Sequence, residues 1–218
     1  MTTKAALRDE ICRVGRSLYE RGYVHSTAGN ISVRLEEGGF LITPTDACLG
    51  MLDPNALAHI DAAGQQTAGE RASKTIALHR RIYAADRPAR CVIHTHSTHL
   101  VALSLIGGAT PEDFLPPITP YFVMKVGRVP LIPYHRPGDP AVAERVEQAI
   151  RQAQEEGAPI RAVMLARLGP NVWHETPAAA MATLEELEET ARLWLLSRPT
   201  PLDARQIDEL RKSFGARW

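Results

Sequence analysis

His94 and His96 stand one residue apart at the end of the apolar run Cys91-Val92-Ile93. In an extended strand, side chains at i and i+2 leave the same face roughly 7 Å apart, at ~3.3 Å of rise per residue. Two imidazoles so placed can converge on one divalent ion, for which neutral imidazole is a common ligand. Zinc is the first expectation, since its catalytic centres take imidazole nitrogen at about 2.0–2.1 Å and use three protein ligands plus one open position. The pair supplies two of the three. The plainer reading is an ordinary hydrogen-bonded strand end, and the surrounding residues decide between them. His99 falls in the first turn of a following helix, Leu100 to Ile106, where a structural or substrate contact is the expectation. His25, His59, His79, His135 and His174 are scattered and are read as surface or hydrogen-bonding groups.

Three short polar segments suit an anion. Thr27-Ala28-Gly29-Asn30 offers a glycine that permits close backbone approach and N–H groups that can surround negative charge. Thr43-Pro44-Thr45 offers hydroxyls, and Ser73-Lys74 places a hydroxyl and an ammonium where a helix should begin. Helix N-termini favour phosphate through unpaired N–H groups and the dipole. Each segment alone reads as a turn or a solvated surface; together they can form a phosphate cradle.

The elements that must position these residues are legible from periodicity. Leu7, Ile11, Val14 and Leu18 recur every three or four residues, a helical stripe that Arg21-Gly22 ends. Ile31 to Leu35 and Phe40 to Thr43, separated by Glu36-Glu37-Gly38-Gly39, read as a hairpin. Ser73 caps an expected helix from Lys74 to Ala85, followed by a buried strand from Ala89 to Thr95. Further strands are expected over Val129 to Pro133 and Ile160 to Ala166, with a helix from Val142 to Gln154 between them. Thr176-Pro177 opens a helix whose Met181, Leu184, Leu187 or Glu188, Ala191 and Leu195 mark one face, and Asp203 caps a last helix carrying Ile207, Leu210 and Phe214. The expected class is α/β: one domain over residues 1–218, three-layered α/β/α, with a mixed, mostly antiparallel sheet.

Composition narrows the partners. The 25 Lys and Arg balance the 25 Asp and Glu, so no net field draws the chain to nucleic acid or an acidic membrane. No run of about eighteen apolar residues suggests a membrane span, and the polar amphipathic start from Lys4 to Arg16 argues against a signal peptide. Cys12, Cys48 and Cys91 are widely spaced, form no CxxC pair and are expected to be buried free thiols, as suits a cytoplasmic protein.

Thr27-Ala28-Gly29-Asn30-Ile31-Ser32, Leu41-Ile42-Thr43-Pro44-Thr45, the histidine pair and Tyr134 to Gly138 together resemble the class II aldolase/adducin family in order and spacing. Ser73-Lys74, Thr119-Pro120-Tyr121, Pro133 to Asp139 and Glu185 to Ala191 look most like its 3-oxo-tetronate 4-phosphate decarboxylases. The resemblance implies a metal-dependent lyase that cleaves a carbon–carbon bond of a small phosphorylated sugar acid, releasing carbon dioxide through a metal-stabilised enediolate to give dihydroxyacetone phosphate. It implies that His94 and His96 hold the ion, that Gly29, Asn30, Thr45, Ser73 and Lys74 bind substrate, and that the protein is a homotetramer. It also implies that Tyr121 reaches an active site completed by a neighbouring subunit. Lys74 can position a second anion, the carboxylate. Tyr121 is a candidate general acid, with a water on the ion as the alternative. An aldolase or an epimerase on a sugar phosphate remains an alternative activity.

Two positions depart from the family. Its glutamate four residues before a helical histidine, counted back from His79, is Thr75 here. Its His-Gly pair, whose histidine is the third ligand, is Leu168-Gly169 here. Leucine cannot bind a metal, so His174, His99 and His135 are candidates for the third place. A silent family member that binds sugar phosphates without turnover, or chemistry retuned to Lys74 or Arg167, also fits these departures.

Overall fold

A computed structural model describes residues 3–106 and 110–218. Its strands are β1 (Asn30–Arg34), β2 (Phe40–Ile42), β3 (Ala58–Ile60), β4 (Gln66–Ala68), β5 (Cys91–His94), β6 (Leu131–Ile132), β7 (Ala162–Leu165) and β8 (Gly169–His174). They form one eight-stranded sheet in the order β4-β3-β2-β1-β5-β8-β7-β6. Every pairing is antiparallel except β6 with β7, the mixed, mostly antiparallel sheet that was expected.

Six α-helices are described: α1 (Lys4–Glu20), α2 (Ile76–Ala85), α3 (Thr98–Ile106), α4 (Pro140–Glu155), α5 (Pro177–Ser197) and α6 (Ala204–Phe214). Side-chain alternation sorts them onto two faces. Ile31, Val33, Cys91, Ile93, Met164 and Val172 point to the core shared with α1, α3, α5 and α6. Val92, Val163, Leu165 and Trp173 point the other way, against Ile82 and Tyr83 of α2 and Val146 and Ile150 of α4. A helix layer on each face makes the three-layer architecture. His94 lies two residues beyond Val92, so its side chain belongs to the α2/α4 face.

The caps expected at Thr176 and Asp203 are present, and α1 has one that was not anticipated. The Thr3 hydroxyl caps α1 by accepting from the Ala6 N–H at 3.2 Å. Thr176 caps α5, with Pro177 in its first turn. Asp203 and Gln206 form a capping box on α6. In the β1–β2 turn Gly39 has φ of +75°, and a Cβ there would stand 2.1 Å from the Ile60 carbonyl oxygen, so only glycine fits.

Several expectations need correction. Helix α2 begins at Ile76, not Lys74, because Ser73 Oγ bonds the Thr75 hydroxyl at 3.0 Å and holds a separate turn ahead of the helix. β5 and β6 are shorter than the apolar runs that announced them. Strands β3, β4 and β8 and a π-helical turn over Phe122–Val126 were not anticipated. Cys91 is buried, but Cys12 and Cys48 are only half-buried; all three are free.

Candidate active site

One row of side chains crosses the middle of the sheet. Asn30 on β1 lies opposite His94 on β5, and His94 lies opposite Asn171 on β8. Direct cross-strand neighbours share a face, so all three emerge towards α2 and α4. They are 5%, 4% and 1% exposed. Polar groups buried that deeply are normally hydrogen-bonded, yet Asn30 Oδ1 and both amide atoms of Asn171 have no partner. His79 Nε2, on α2 above the same face, is a further orphan, while its Nδ1 bonds Ser32 Oγ at 2.8 Å. Leaving such groups unpaired costs ~1–3 kcal/mol each, a cost that a bound polar partner would offset.

The histidine pair converges. The His94 and His96 ring centroids are 5.1 Å apart, with the rings at 69°. His94 Nδ1 donates to the Pro170 carbonyl at 2.8 Å, since a carbonyl can only accept. That bond fixes the tautomer and leaves Nε2 with its lone pair free, the orienting contact that metal-ligating imidazoles commonly have. Burial, then the neighbouring His96, lowers the His94 pKa to about 4 despite the Pro170 bond, which works the other way. Burial, then His25, also lowers that of His96. Both rings are held in the neutral form a metal requires. Gly29 is pressed against this strand: a Cβ on it would meet the His94 carbonyl oxygen at 2.8 Å.

A cavity of about 160 Å³ opens beside His94 between the first turns of α2 and α4. Its floor is His94 and Asn171, one wall is Lys74, Thr75 and Leu78, and the facing wall runs from Pro133 to Pro140 with Leu168 beside it. The three expected anion segments are contiguous. Ser73 N–H donates to the Thr43 carbonyl at 3.2 Å, and Thr45 N–H to the Arg71 carbonyl at 2.9 Å. Ile31 N–H donates to Thr43 Oγ1 at 3.1 Å, which ties in the segment carrying Asn30. Thr75 at the N-cap of α2 makes no side-chain capping bond, so the helix presents N–H groups at this edge. Lys74 is exposed on the cavity wall.

Other expected residues fall elsewhere. Tyr121 is 62% exposed, outside the cavity lining, and precedes the Phe122–Val126 turn that packs on α5 and α6. His99 is in the first turn of α3, as expected, but its Nδ1 is held by Glu188 at 2.8 Å. His174 lies opposite Cys91, three residues along β5 from His94, with Nε2 bonded to Arg161 and Nδ1 accepting from the Glu175 N–H, each at 2.8 Å. It does not swing into the site. His135 lines the cavity, with Nδ1 on the Pro133 carbonyl at 2.7 Å. Arg167 is exposed on the β7–β8 turn with φ of +66°.

Two residues near the pair escaped the sequence reading. Asn171 precedes the buried Val172-Trp173, a lone amide in an apolar run, and that was its only signal. His25 places its ring 6.3 Å from that of His96; its position just ahead of the Thr27–Asn30 segment was the available hint. Among the described residues, no group of three His, Cys, Asp or Glu side chains is placed to hold a metal ion. His94 lies on the cavity floor and His96, its ring 5.1 Å away, lies outside the lining, so the pair fits a divalent ion at the cavity's edge as two of its ligands.

Known proteins share this architecture and much of this sequence. The family described as class II aldolase and adducin N-terminal domain matches residues 9–195. A 3-oxo-tetronate 4-phosphate decarboxylase of Cupriavidus necator is 55% identical, with 100% of both chains covered. One from Escherichia coli K12 is 40% identical over 94% of this chain and 95% of the relative. The solved structure of YgbL from Escherichia coli, described as an aldolase/epimerase/decarboxylase, is 39% identical, with a TM-score of 0.86 over 95% of this chain and 99% of that one. The l-fuculose-1-phosphate aldolase of Thermus thermophilus aligns with a TM-score of 0.71 at 27% identity, over 88% of this chain and 94% of that one.

Proposed function

The chain belongs to the class II aldolase and adducin family, and from that premise we propose that it is a metal-dependent lyase that decarboxylates a 3-oxo-tetronate 4-phosphate to dihydroxyacetone phosphate. The observation that carries this reading is the convergence of two neutral imidazoles, 5.1 Å apart, beside a cavity edged by the N-terminus of α2. The names of relatives up to 55% identical supply the substrate.

In such a substrate the ketone lies β to the carboxylate. The bond between the carboxyl carbon and C2 breaks, carbon dioxide leaves, and the electron pair passes into the C2–C3 unit as an enediolate. One proton returned to C2 completes the product. His94 and His96 would hold a divalent ion, zinc in the first instance, whose Lewis acidity would stabilise the negative charge that builds on the ketone oxygen. Gly29, Asn30, Thr45 and Ser73 lie along the contiguous anion segments and take the phosphate, with the α2 N-terminus contributing its dipole. Lys74 steers either anion across the cavity wall. Tyr121, exposed on its own subunit, returns the proton in the cavity of a neighbour within a homotetramer. The exposed Leu105, Ile106 and Tyr134 are candidate contacts of that assembly. A cytoplasmic setting suits the substrate, and among the described residues no helix is long and apolar enough to cross a membrane.

Carbon dioxide release from a 3-oxo-tetronate 4-phosphate, assayed with and without added divalent metal, tests the reading. Turnover that depends on metal and falls by about a thousandfold or more in His94→Ala is the expected result. Products carrying an aldehyde, or an inverted centre with no bond broken, would make the protein an aldolase or an epimerase instead. A second reading has its own observation, since Leu168 offers no ligand on the cavity wall and the Thr75 hydroxyl is bonded to Ser73. On that reading the protein binds sugar phosphates silently. Thermal stabilisation by the substrate without any turnover would establish it.

A further inference from the structure

Among the described residues no third imidazole or carboxylate groups with His94 and His96, but the cavity floor has an unused donor. Asn171 is 1% exposed, with neither amide oxygen nor amide nitrogen partnered. It sits directly across the strand pair from His94 and lines the same cavity. Leu168, three residues earlier, lines that cavity without a donor atom. Of the histidines considered for the role, His174 is engaged by Arg161 and the Glu175 N–H and His99 by Glu188, while His135, on the facing cavity wall with Nδ1 on the Pro133 carbonyl, does not group with His94 and His96. His79 Nε2 is unpartnered too, but His79 does not group with His94 and His96 as a third ligand.

We infer that the Asn171 amide oxygen is the third protein ligand of the ion held by His94 and His96, replacing the imidazole that Leu168 does not supply. This rests on the reading that the site holds a divalent ion. A neutral carbonyl-type oxygen suits hard, oxygen-preferring ions such as Mn²⁺ and Mg²⁺, whereas a third imidazole favours zinc. The site therefore discriminates less sharply for zinc over manganese than a three-imidazole centre on the same scaffold. Since neither end of the amide has a fixed partner, turning the oxygen inward breaks no existing bond. Asn30 Oδ1, across the other strand pair from His94, is likewise unpartnered.

The test is calorimetric titration of the full-length, metal-stripped protein with MnCl₂ and separately with ZnCl₂, with folding of each variant checked by circular dichroism. Wild type is expected to bind one ion per chain, and His94→Ala none. Asn171→Leu is expected to weaken Mn²⁺ binding by about tenfold or more. Asn171→Asp, which presents a charged oxygen at the same place, should tighten it and keeps the test decisive if the leucine variant folds poorly. Leu168→His should raise zinc affinity by about tenfold or more while changing manganese affinity less. If wild type binds and His94→Ala does not, but both Asn171 variants bind Mn²⁺ as wild type does, the assignment of Asn171 is overturned and the ion site stands. If wild type binds neither ion, the ion site itself falls, and Asn171 with it.

Discussion

Glu188 and Asn171 are buried to a similar degree on opposite faces of one sheet, 4% and 1% exposed, and they are treated in opposite ways. Glu188, on α5, accepts from the His99 N–H at 2.9 Å, His99 Nδ1 at 2.8 Å and the Leu100 N–H at 3.2 Å. It closes the start of α3, satisfying donors that the helix itself leaves open. Asn171 faces α2 and α4 and satisfies nothing. A buried polar group whose bonds are complete is holding the fold together. One whose bonds are missing, at the floor of a cavity, is keeping a place for something else.

Three measurements bear on that contrast. The largest effect is expected from Glu188→Ala, which strands two backbone N–H groups at the buried start of α3. Urea unfolding should show a loss of about 2–4 kcal/mol, and a loss below about half a kcal/mol would mean that water replaces the carboxylate and the contrast is overdrawn. Asn171→Leu should move the metal-free protein the other way, by about 1–2 kcal/mol towards greater stability, since it removes an unpaired amide and leaves similar volume. A stability loss of that size would show that the amide already has a partner in the resting protein.

Acid should act on the Asn171 face with the smallest effect near neutrality. Burial, followed by the charge of His94, lowers the His79 pKa to about 3, and that of His94 lies at about 4. Each folded value is below that of the unfolded chain, near 6.5, so the unfolded state binds protons first as pH falls. The contribution of these neutral rings is complete above about 6.5 and is lost progressively between there and about pH 4 to 3. The urea midpoint of metal-free protein should fall slightly from about pH 7.5 to 6 and more steeply towards about pH 5. His79→Gln should flatten that slope; an unchanged slope would point to other groups.

What was legible in the sequence was what covalent geometry and local capping determine. The period of two along β5 put the His94 side chain on one face with Val92, His96 lying just beyond the strand's end, and Thr176 and Asp203 mark the starts of their helices. The Thr27–Asn30, Thr43–Thr45 and Ser73–Lys74 segments were found one by one, and their meeting depended on long-range pairings such as Pro44 with Ala72. β8 was hidden because Gly169-Pro170 reads as a turn. Gly169 is needed for another reason: a Cβ there would stand 1.9 Å from the Thr95 carbonyl oxygen. β4 was hidden because its three residues are all exposed and carry no apolar pattern. Asn171 could not be recognised as part of the site until β8 was placed beside β5, since its importance comes from its neighbour across the ladder.

The Asn30–His94–Asn171 row hangs from three hydrogen-bonded strands, whose spacing of about 4.8 Å is set by the backbone and hardly yields. Only the floor of the pocket has such fixed jaws, since its walls come from the turns at residues 74–75 and 133–139. What that floor grips is then altered by exchanging its teeth, one residue at a time, while the spacing between them stays the same.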